Sequence, residues 1–134
     1  MHRKPTNKME ELKEQYPSLL RVPFECGEGW HDVLSQLCAQ LQAIKEVTEI
    51  SITATQIKEK YGTLRFYYST DMDSNVAGEP NVWWSIICSV VSAAENKTEH
   101  ICEVCGEFGK TITINSFLTT LCPKCEAQAR KEHL

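Results

Sequence analysis

The sequence lacks a long apolar run, an excess of positive charge and any internal repeat. Its longest apolar stretch, Val82 to Ala94, is interrupted by three serines and is shorter than the ~20 residues of a membrane-spanning helix. Its 14 Lys and Arg against 18 Asp and Glu give a net charge of −4, which argues against a protein that mainly wraps duplex nucleic acid. At 134 residues, the chain has room for one core domain and a small additional module.

The N-terminus also lacks the apolar core of a secretory signal, because residues 1–17 are mostly polar and charged. We therefore expect a cytoplasmic protein. Cysteine is the one residue type with an unusual pattern, since seven occur and four of them form two C-x-x-C pairs. In a reducing compartment such pairs bind metal more often than they form disulfides.

Two amphipathic helices are predicted by apolar residues that recur at steps of three and four. One stripe runs from Trp30 to Ile44 and the other from Trp83 to Ala94. Cys38 lies on the first stripe, while Cys88 and Trp84 widen the second. We therefore expect both cysteines to be buried and the second helix to be covered around much of its circumference. Contact with a partner is the alternative role for Trp84.

A β-hairpin is predicted between these two helices. Residues 50–68 alternate apolar and polar side chains on either side of a turn at Tyr61-Gly62. A shorter helix near residues 9–16 and a polar loop from 69 to 81 complete this part of the chain. The expected fold class is α+β, with two to three helices packed on a small antiparallel β-hairpin or sheet in a core domain at residues 1–99.

The paired cysteines predict a zinc site. Cys102, Cys105, Cys122 and Cys125 follow the pattern C-x₂-C-x₁₆-C-x₂-C, which is typical of sites with four thiolate ligands. Two intervening residues let the chain turn and aim both sulfurs at one ion. Four thiolates fill the coordination shell of zinc, so the metal is expected to be structural. Iron in place of zinc, and His100 as a competing ligand, are the alternatives.

The residues around these cysteines predict a zinc-binding module at 100–134. Two short strands, 110–114 and 117–121, lie between the cysteine pairs, and a strong helix-forming segment follows Cys125. A knuckle, a hairpin and a helix that carries the last ligands in its first turn resemble the treble-clef plan. A module this short cannot build its own core, so the ion replaces one.

The hairpin carries the candidate partner-binding residues, namely Lys58, Lys60, Arg65 and Tyr67. If Leu64 faces the core, Arg65 and Tyr67 project from the opposite face of the strand. Exposed Arg and Tyr on a rigid sheet are typical anchors of protein interfaces. A solvated sheet face with ordinary cross-strand packing explains the same pattern equally well.

A further candidate site lies at the start of the first long helix, where Glu25, Glu28 and His31 would supply an acid–base group. No nucleophile or cofactor motif accompanies these residues in the sequence. We therefore expect a solvated helix start after a tight turn at Gly27-Glu28-Gly29, and no enzymatic activity.

Three ordered motifs cover most of the chain between Phe24 and Cys125. They are ECGEGWHDVL from Glu25, QIKEKYGTLRFYY from Gln56, and the segment that leads from Ala93 through both cysteine pairs. Together they resemble a family of small uncharacterised proteins that phages and prophages encode. The resemblance implies a phage origin and the cytoplasm of a host cell, and it implies no particular activity.

We expect a non-enzymatic, zinc-containing binding protein that modulates or inhibits a host protein complex, for instance a defence system, through protein–protein contact; the choice of target is an analogy. The partner would be a host or phage protein, with the zinc module as a second contact or a homodimer interface. The alternative is a nucleic-acid-binding or transcription-regulatory zinc protein that uses Lys58, Lys60 and Arg65. No membrane association is expected.

Overall fold

The computed structural model describes residues 7–71 and 80–132, so most of the predicted polar loop lies outside the described residues. In chain order the elements are α1 (Asn7–Gln15), β1 (Phe24–Glu25), α2 (His31–Thr48), β2 (Ile52–Lys60), β3 (Thr63–Thr70), α3 (Pro80–Lys97), β4 (Lys110–Ile114), β5 (Phe117–Leu121) and α4 (Pro123–Glu132). Single 3₁₀ turns precede α2 and follow α3. The predicted α+β class is confirmed.

Helix α2 provides the central apolar face of the core. Together with Trp30 of the preceding turn, its buried apolar side chains are the ones that the sequence periodicity predicts, namely Val33, Leu34, Leu37, Cys38, Leu41 and Ile44. Met9 and Leu12 of α1 belong to the same core. Each large apolar side chain buried in this way contributes about 1.5–3 kcal/mol, so the stripe supplies much of the drive to fold.

The sheet has the strand order β1-β2-β3, with β2 and β3 antiparallel as predicted. Tyr61 and Gly62 have φ of 56° and 84°, the positive values that a tight two-residue hairpin turn requires. A bulge between Ala54 and Gln56 shifts the alternation, so that Ile57 is buried on the core side together with Ala54. The sequence pattern predicts neither this bulge nor β1, which pairs in parallel with β2.

Helix α3 is covered less fully than predicted. Its most extensive contacts within the described residues are with α2 and β3; Ile87, Val91 and Ala94 are buried, while Trp84 is 47% exposed. The expectations of a largely buried helix and a buried Trp84 are therefore wrong. Periodicity shows which face of a helix is apolar, but it does not show how many neighbours cover that face.

The C-terminal end of α3 closes the free edge of β3. The carboxylate of Glu95 accepts a hydrogen bond from the Phe66 N–H at 2.8 Å, and the Thr98 hydroxyl accepts one from the Leu64 N–H at 2.9 Å. These two bonds satisfy backbone donors that an edge strand would otherwise expose. The same contacts fix the point where the chain leaves the core towards the cysteine pairs.

None of the helices in the described ranges combines the length and the apolar character that crossing a membrane requires.

Cys38 and Cys88 are expected to differ in reactivity, although the sequence predicts both to be buried. Cys38 is fully buried, and burial raises the pKa of its thiol to about 12. Cys88 is only half-buried, and its Sγ lies 3.2 Å from the hydroxyl of Tyr68. Because the thiolate is the reactive form, Cys38 should resist alkylation of the native protein, while Cys88 should label faster. Peptide mapping by mass spectrometry after timed labelling measures both; rapid labelling of Cys38 would contradict the packing of α2.

Candidate functional site

The first cysteine pair forms a tight knuckle after α3. The backbone N–H of Gly106 donates a hydrogen bond to the carbonyl of Cys102 at 2.9 Å, and Gly106 has φ of 84°. This left-handed conformation favours glycine, as the sequence predicts. Cys102 is buried and Cys105 is exposed, so the knuckle presents one sulfur towards the interior and one near the surface.

The second cysteine pair lies at the junction of β5 and α4. Cys122 falls between the last strand residue and Pro123, and Cys125 lies in the first helical turn. The Glu126 N–H donates to the Cys122 carbonyl at 2.8 Å and so begins the helix at this point. The order of knuckle, hairpin and helix agrees with the treble-clef plan predicted from the sequence.

The four sulfur atoms converge on one point. The Sγ atoms of Cys102, Cys105, Cys122 and Cys125 all lie within 4.8 Å of one another, and those of Cys105 and Cys122 are 3.6 Å apart. All seven cysteines are free thiols. A tetrahedral zinc ion with Zn–S bonds of ~2.3 Å has sulfurs ~3.8 Å apart, so the cluster fits such an ion with small adjustments.

The electrostatics of this cluster favour a cation. The backbone N–H of Cys125 lies 3.4 Å from the Sγ of Cys122 and lowers the pKa of that thiol to about 7. Burial, followed by the neighbouring sulfurs, raises the pKa of Cys125 to about 12. The four thiols therefore do not all ionise near neutral pH unless a metal ion shares their charge. Tetrahedral thiolate sites of this kind hold zinc or iron.

His100 is not part of this cluster among the described residues. Its ring stacks on Phe108 at a centroid distance of 6.0 Å and an interplanar angle of 2°. The structure therefore places His100 in a surface contact instead of the sulfur cluster, and the four cysteines remain the predicted ligand set.

The glycine turn before α2 packs directly on the knuckle, a contact that the sequence does not predict. The Gly29 N–H donates to the Glu103 carbonyl at 2.8 Å, and the Gly27 N–H donates to the Glu103 carboxylate at 2.8 Å. The indole N–H of Trp30 donates to the carbonyl of Ile101 at 2.9 Å. The two glycines, spaced by one residue ahead of a tryptophan, are the sequence signal for this close approach of two backbones.

The module also contacts the tip of the β2–β3 hairpin. The hydroxyl of Thr120 donates to the carbonyl of Gly62 at 2.6 Å, while the Thr120 carbonyl accepts from the Glu103 N–H at 3.0 Å. The module thus contacts the preceding part of the chain at two places, the glycine turn and the hairpin tip. The division into a core at 1–99 and a module at 100–134 stays a prediction, because hydrogen bonds that cross a boundary do not show which parts fold independently.

The hairpin face brings three of the predicted partner-binding residues together. Lys58 and Arg65 are directly opposite each other in the β2–β3 register, and the Lys58 Nζ lies 6.0 Å from the centre of the Tyr67 ring. Lys60 lies at the strand end, with its Nζ 5.5 Å from the centre of the Tyr61 ring. Tyr67 is 44% exposed, which agrees with the predicted outward face.

Arg65 carries an unsatisfied donor on this face. Its Nε is buried and, among the described residues, has no hydrogen-bond partner. Lys58 has Glu25 of β1 as its other cross-strand neighbour, and that carboxylate accepts from the Gln56 side chain at 3.3 Å. Like charges directly opposite in a sheet destabilise it, and a buried unpaired donor costs about 1–3 kcal/mol. An anion beside the two side chains would relieve the repulsion between Lys58 and Arg65.

The residues of the candidate acid–base site are held in place by different neighbours. The Nδ1 of His31 lies 3.1 Å from the carboxylate of Asp32, whereas the Glu25 carboxylate is bound by Gln56 on the sheet. Glu28 lies in the single 3₁₀ turn before α2 and is exposed. The turn serves mainly to bring Gly27 and Gly29 against the knuckle.

Comparisons with protein-family models, with curated proteins and with solved structures found no match to this chain. The sulfur cluster and the hairpin face are the features of the structure that bear on function.

Proposed function

We propose that the chain is a zinc-containing binding protein that contacts another protein through the face of its β2–β3 hairpin. The observation that supports zinc binding is the convergence of four cysteine sulfurs within 4.8 Å. Contact with another protein is supported by the cross-strand pair of Lys58 and Arg65 beside the exposed ring of Tyr67. Lys60 extends the same surface towards the hairpin tip.

The role proposed for the metal is structural. Zinc bound by Cys102, Cys105, Cys122 and Cys125 has no open coordination position for water or substrate. The ion would instead tie the knuckle to α4 and so hold a short module in shape. A binding role, with no catalysis, is the function that such a closed site supports best.

A protein partner is favoured over nucleic acid by the charge distribution. The chain has a net charge of −4, and residues 100–132 carry equal numbers of acidic side chains and of Lys and Arg. Four thiolates around zinc add a charge of about −2. Nucleic-acid binding depends on long-range attraction by clustered cations, and Lys58, Lys60 and Arg65 are a small cluster in an acidic chain.

The proposed origin and target rest on the sequence resemblance. The motifs that resemble those of phage- and prophage-encoded proteins are the support for a phage gene and a site of action in the host cytoplasm. The partner is then a host or phage protein, and inhibition or modulation of a host complex such as a defence system is the proposed outcome. Affinity capture from infected and uninfected host cells, read by mass spectrometry, identifies the partner.

The double substitution Arg65→Ala with Tyr67→Ala should weaken binding of the captured partner by well over tenfold. Loss of one interface anchor commonly costs about 2 kcal/mol or more, and each ~1.4 kcal/mol is a factor of ten in affinity. Isothermal titration calorimetry measures the change. Zinc content and the circular dichroism spectrum should not change, because both side chains lie on the face away from the core.

A matched control is Arg21→Ala with Val47→Ala, since both residues are exposed and lie outside the hairpin. This control should bind the partner as the native chain does. Equal loss in both variants would remove the hairpin from the interface. Tight, salt-sensitive binding to DNA or RNA, with no protein partner captured, would favour the nucleic-acid-regulatory alternative.

A further inference from the structure

A groove runs between the β4–β5 hairpin and α4, on a surface separate from the β2–β3 face. Its volume is about 430 Å³, within the range of pockets that bind small ligands or peptide side chains. The apolar residues that line it are Val104, Ile114, Phe117, Leu121 and Ala129. Cys125 also lines the groove, so one of the four proposed metal ligands forms part of its wall.

The exposed apolar side chains of this groove are costly to leave in water. Phe117 is 76% exposed and Val104 is 38% exposed, although both belong to a module with very little core. Burying a Phe or Val side chain against a ligand removes apolar surface from water and so favours binding. Apolar side chains that line one concave surface are typical of binding sites, whereas single scattered ones are not informative.

The charges around the groove indicate what kind of segment fits it. Glu103 and Glu132 line it, and no Lys, Arg or His among the described residues does. Zinc held by four thiolates would contribute about −2 more. The two carboxylates and the thiolate centre all favour a cation at the rim of the groove.

We propose that this groove binds a short segment of a partner protein that presents an aromatic or aliphatic side chain with a Lys or Arg close beside it. The apolar side chain would fill the space beside Phe117 and Ala129, and the cation would lie towards Glu132. Asn115 and Gln128 line the groove as well. The Gln128 amide N–H donates to the Glu132 carboxylate at 3.3 Å, so its carbonyl and the Asn115 amide are the groups that offer hydrogen bonds to a peptide backbone.

A second copy of the chain fits the groove less well. In a symmetric dimer the same patch faces itself, so Glu103 and Glu132 of both copies, and both thiolate centres, would approach each other. Juxtaposed like charges at an interface oppose association. Nucleic acid is disfavoured by the same negative field.

A selection from a library of random-sequence peptides, displayed against the zinc-loaded full chain, tests this proposal. Enriched peptides should combine an aromatic or aliphatic residue with a nearby Lys or Arg. In fluorescence anisotropy titrations of one enriched peptide, Phe117→Ser should weaken binding by about tenfold or more. Glu132→Lys should weaken it severalfold, and replacing the basic residue of the peptide by Ala should have a similar effect.

Phe108→Ser is the matched control for Phe117→Ser. Phe108 is a phenylalanine of the same module that is 68% exposed and does not line the groove. Its substitution should leave peptide affinity unchanged, and zinc content should be the same in all three variants. The Arg65 and Tyr67 double variant should also keep peptide binding, so failure of the groove and failure of the hairpin face are distinguishable.

Four results would overturn the proposal. The first is a selection that enriches no peptide, and the second is one that enriches peptides without a basic residue. The third is equal loss of affinity in the Phe117 and Phe108 variants. The fourth is self-association in sedimentation velocity that disappears with Phe117→Ser, which would assign the groove to a second copy of the chain.

Discussion

Replacing Cys122 by Ser is expected to abolish stoichiometric zinc binding and to unfold residues 100–132. Cys122 is a buried member of the cluster, and a serine hydroxyl does not ionise to replace the lost thiolate. Structural zinc contributes about 10–16 kcal/mol of apparent binding free energy in small zinc-dependent peptides, and in such modules this is folding free energy. Metal analysis should give about one equivalent of zinc for the native chain and little for the variant.

The core should largely survive that substitution. Leu34, Leu37 and Ile57 are fully buried among residues that precede the module, so their packing does not require the metal. Far-UV circular dichroism should therefore keep most of its helical signal, while limited proteolysis should cut between β4 and α4. A chelator should reproduce both results on the native chain.

Cys88→Ser is the matched control, because Cys88 is a half-buried cysteine outside the cluster. It should retain one equivalent of zinc. A native preparation that contains no metal while its module is folded would contradict the zinc site. Stoichiometric iron, recognised by its visible absorption, would show that the site holds iron instead of zinc. Loss of all helical signal in Cys122→Ser would show that residues 1–99 do not fold independently.

Local patterns were sufficient to predict the elements that lie at short sequence separation. The periodicity from Trp30 to Ile44 marks the buried stripe of α2, and alternation around Gly62 marks the hairpin. The spacing of the cysteines predicts a cluster because both C-x-x-C turns are local and each aims two sulfurs in one direction. In each case the physical cause acts within a few residues of the pattern that reveals it.

Contacts between distant segments could not be predicted in this way. Strand β1 has only two residues, too few for any alternation, and its pairing with β2 depends on the folded core. The exposure of Trp84 depends on which elements cover α3. The cavity beside Phe117 arises only when the β4–β5 hairpin and α4 are placed side by side.

The contact of Gly29 with the knuckle is the long-range feature with the largest expected effect on stability. A Cβ at this position would lie 2.5 Å from the carbonyl carbon of Glu103, and the carbonyl oxygen of Cys102 would be closer still. The atoms in the way are backbone, so no side chain can rotate to make room. Either the turn or the knuckle has to move, and the hydrogen bond from the Gly29 N–H to Glu103 is then lost as well.

Gly29→Ala is therefore expected to destabilise the chain by about 3 kcal/mol, from overpacking of about 1–3 kcal/mol together with a lost hydrogen bond of about 1 kcal/mol. Thermal unfolding of the zinc-loaded variant should occur on the order of 10 °C lower. Zinc affinity should fall too. The turn stabilises the knuckle in its metal-binding conformation, so displacement of the turn must, by linkage, weaken zinc binding. Competition with a chromogenic chelator measures that second effect.

Glu28→Ala is the control for Gly29→Ala, since Glu28 lies in the same turn but is exposed. Its midpoint of unfolding and its zinc affinity should stay close to those of the native chain. Comparison of the two variants distinguishes loss of the contact between Gly29 and the knuckle from the effect of any other substitution in this turn. If Gly29→Ala melts at the native temperature and binds zinc with native affinity, the turn does not pack on the knuckle in solution, and the metal centre is then held by its own module alone.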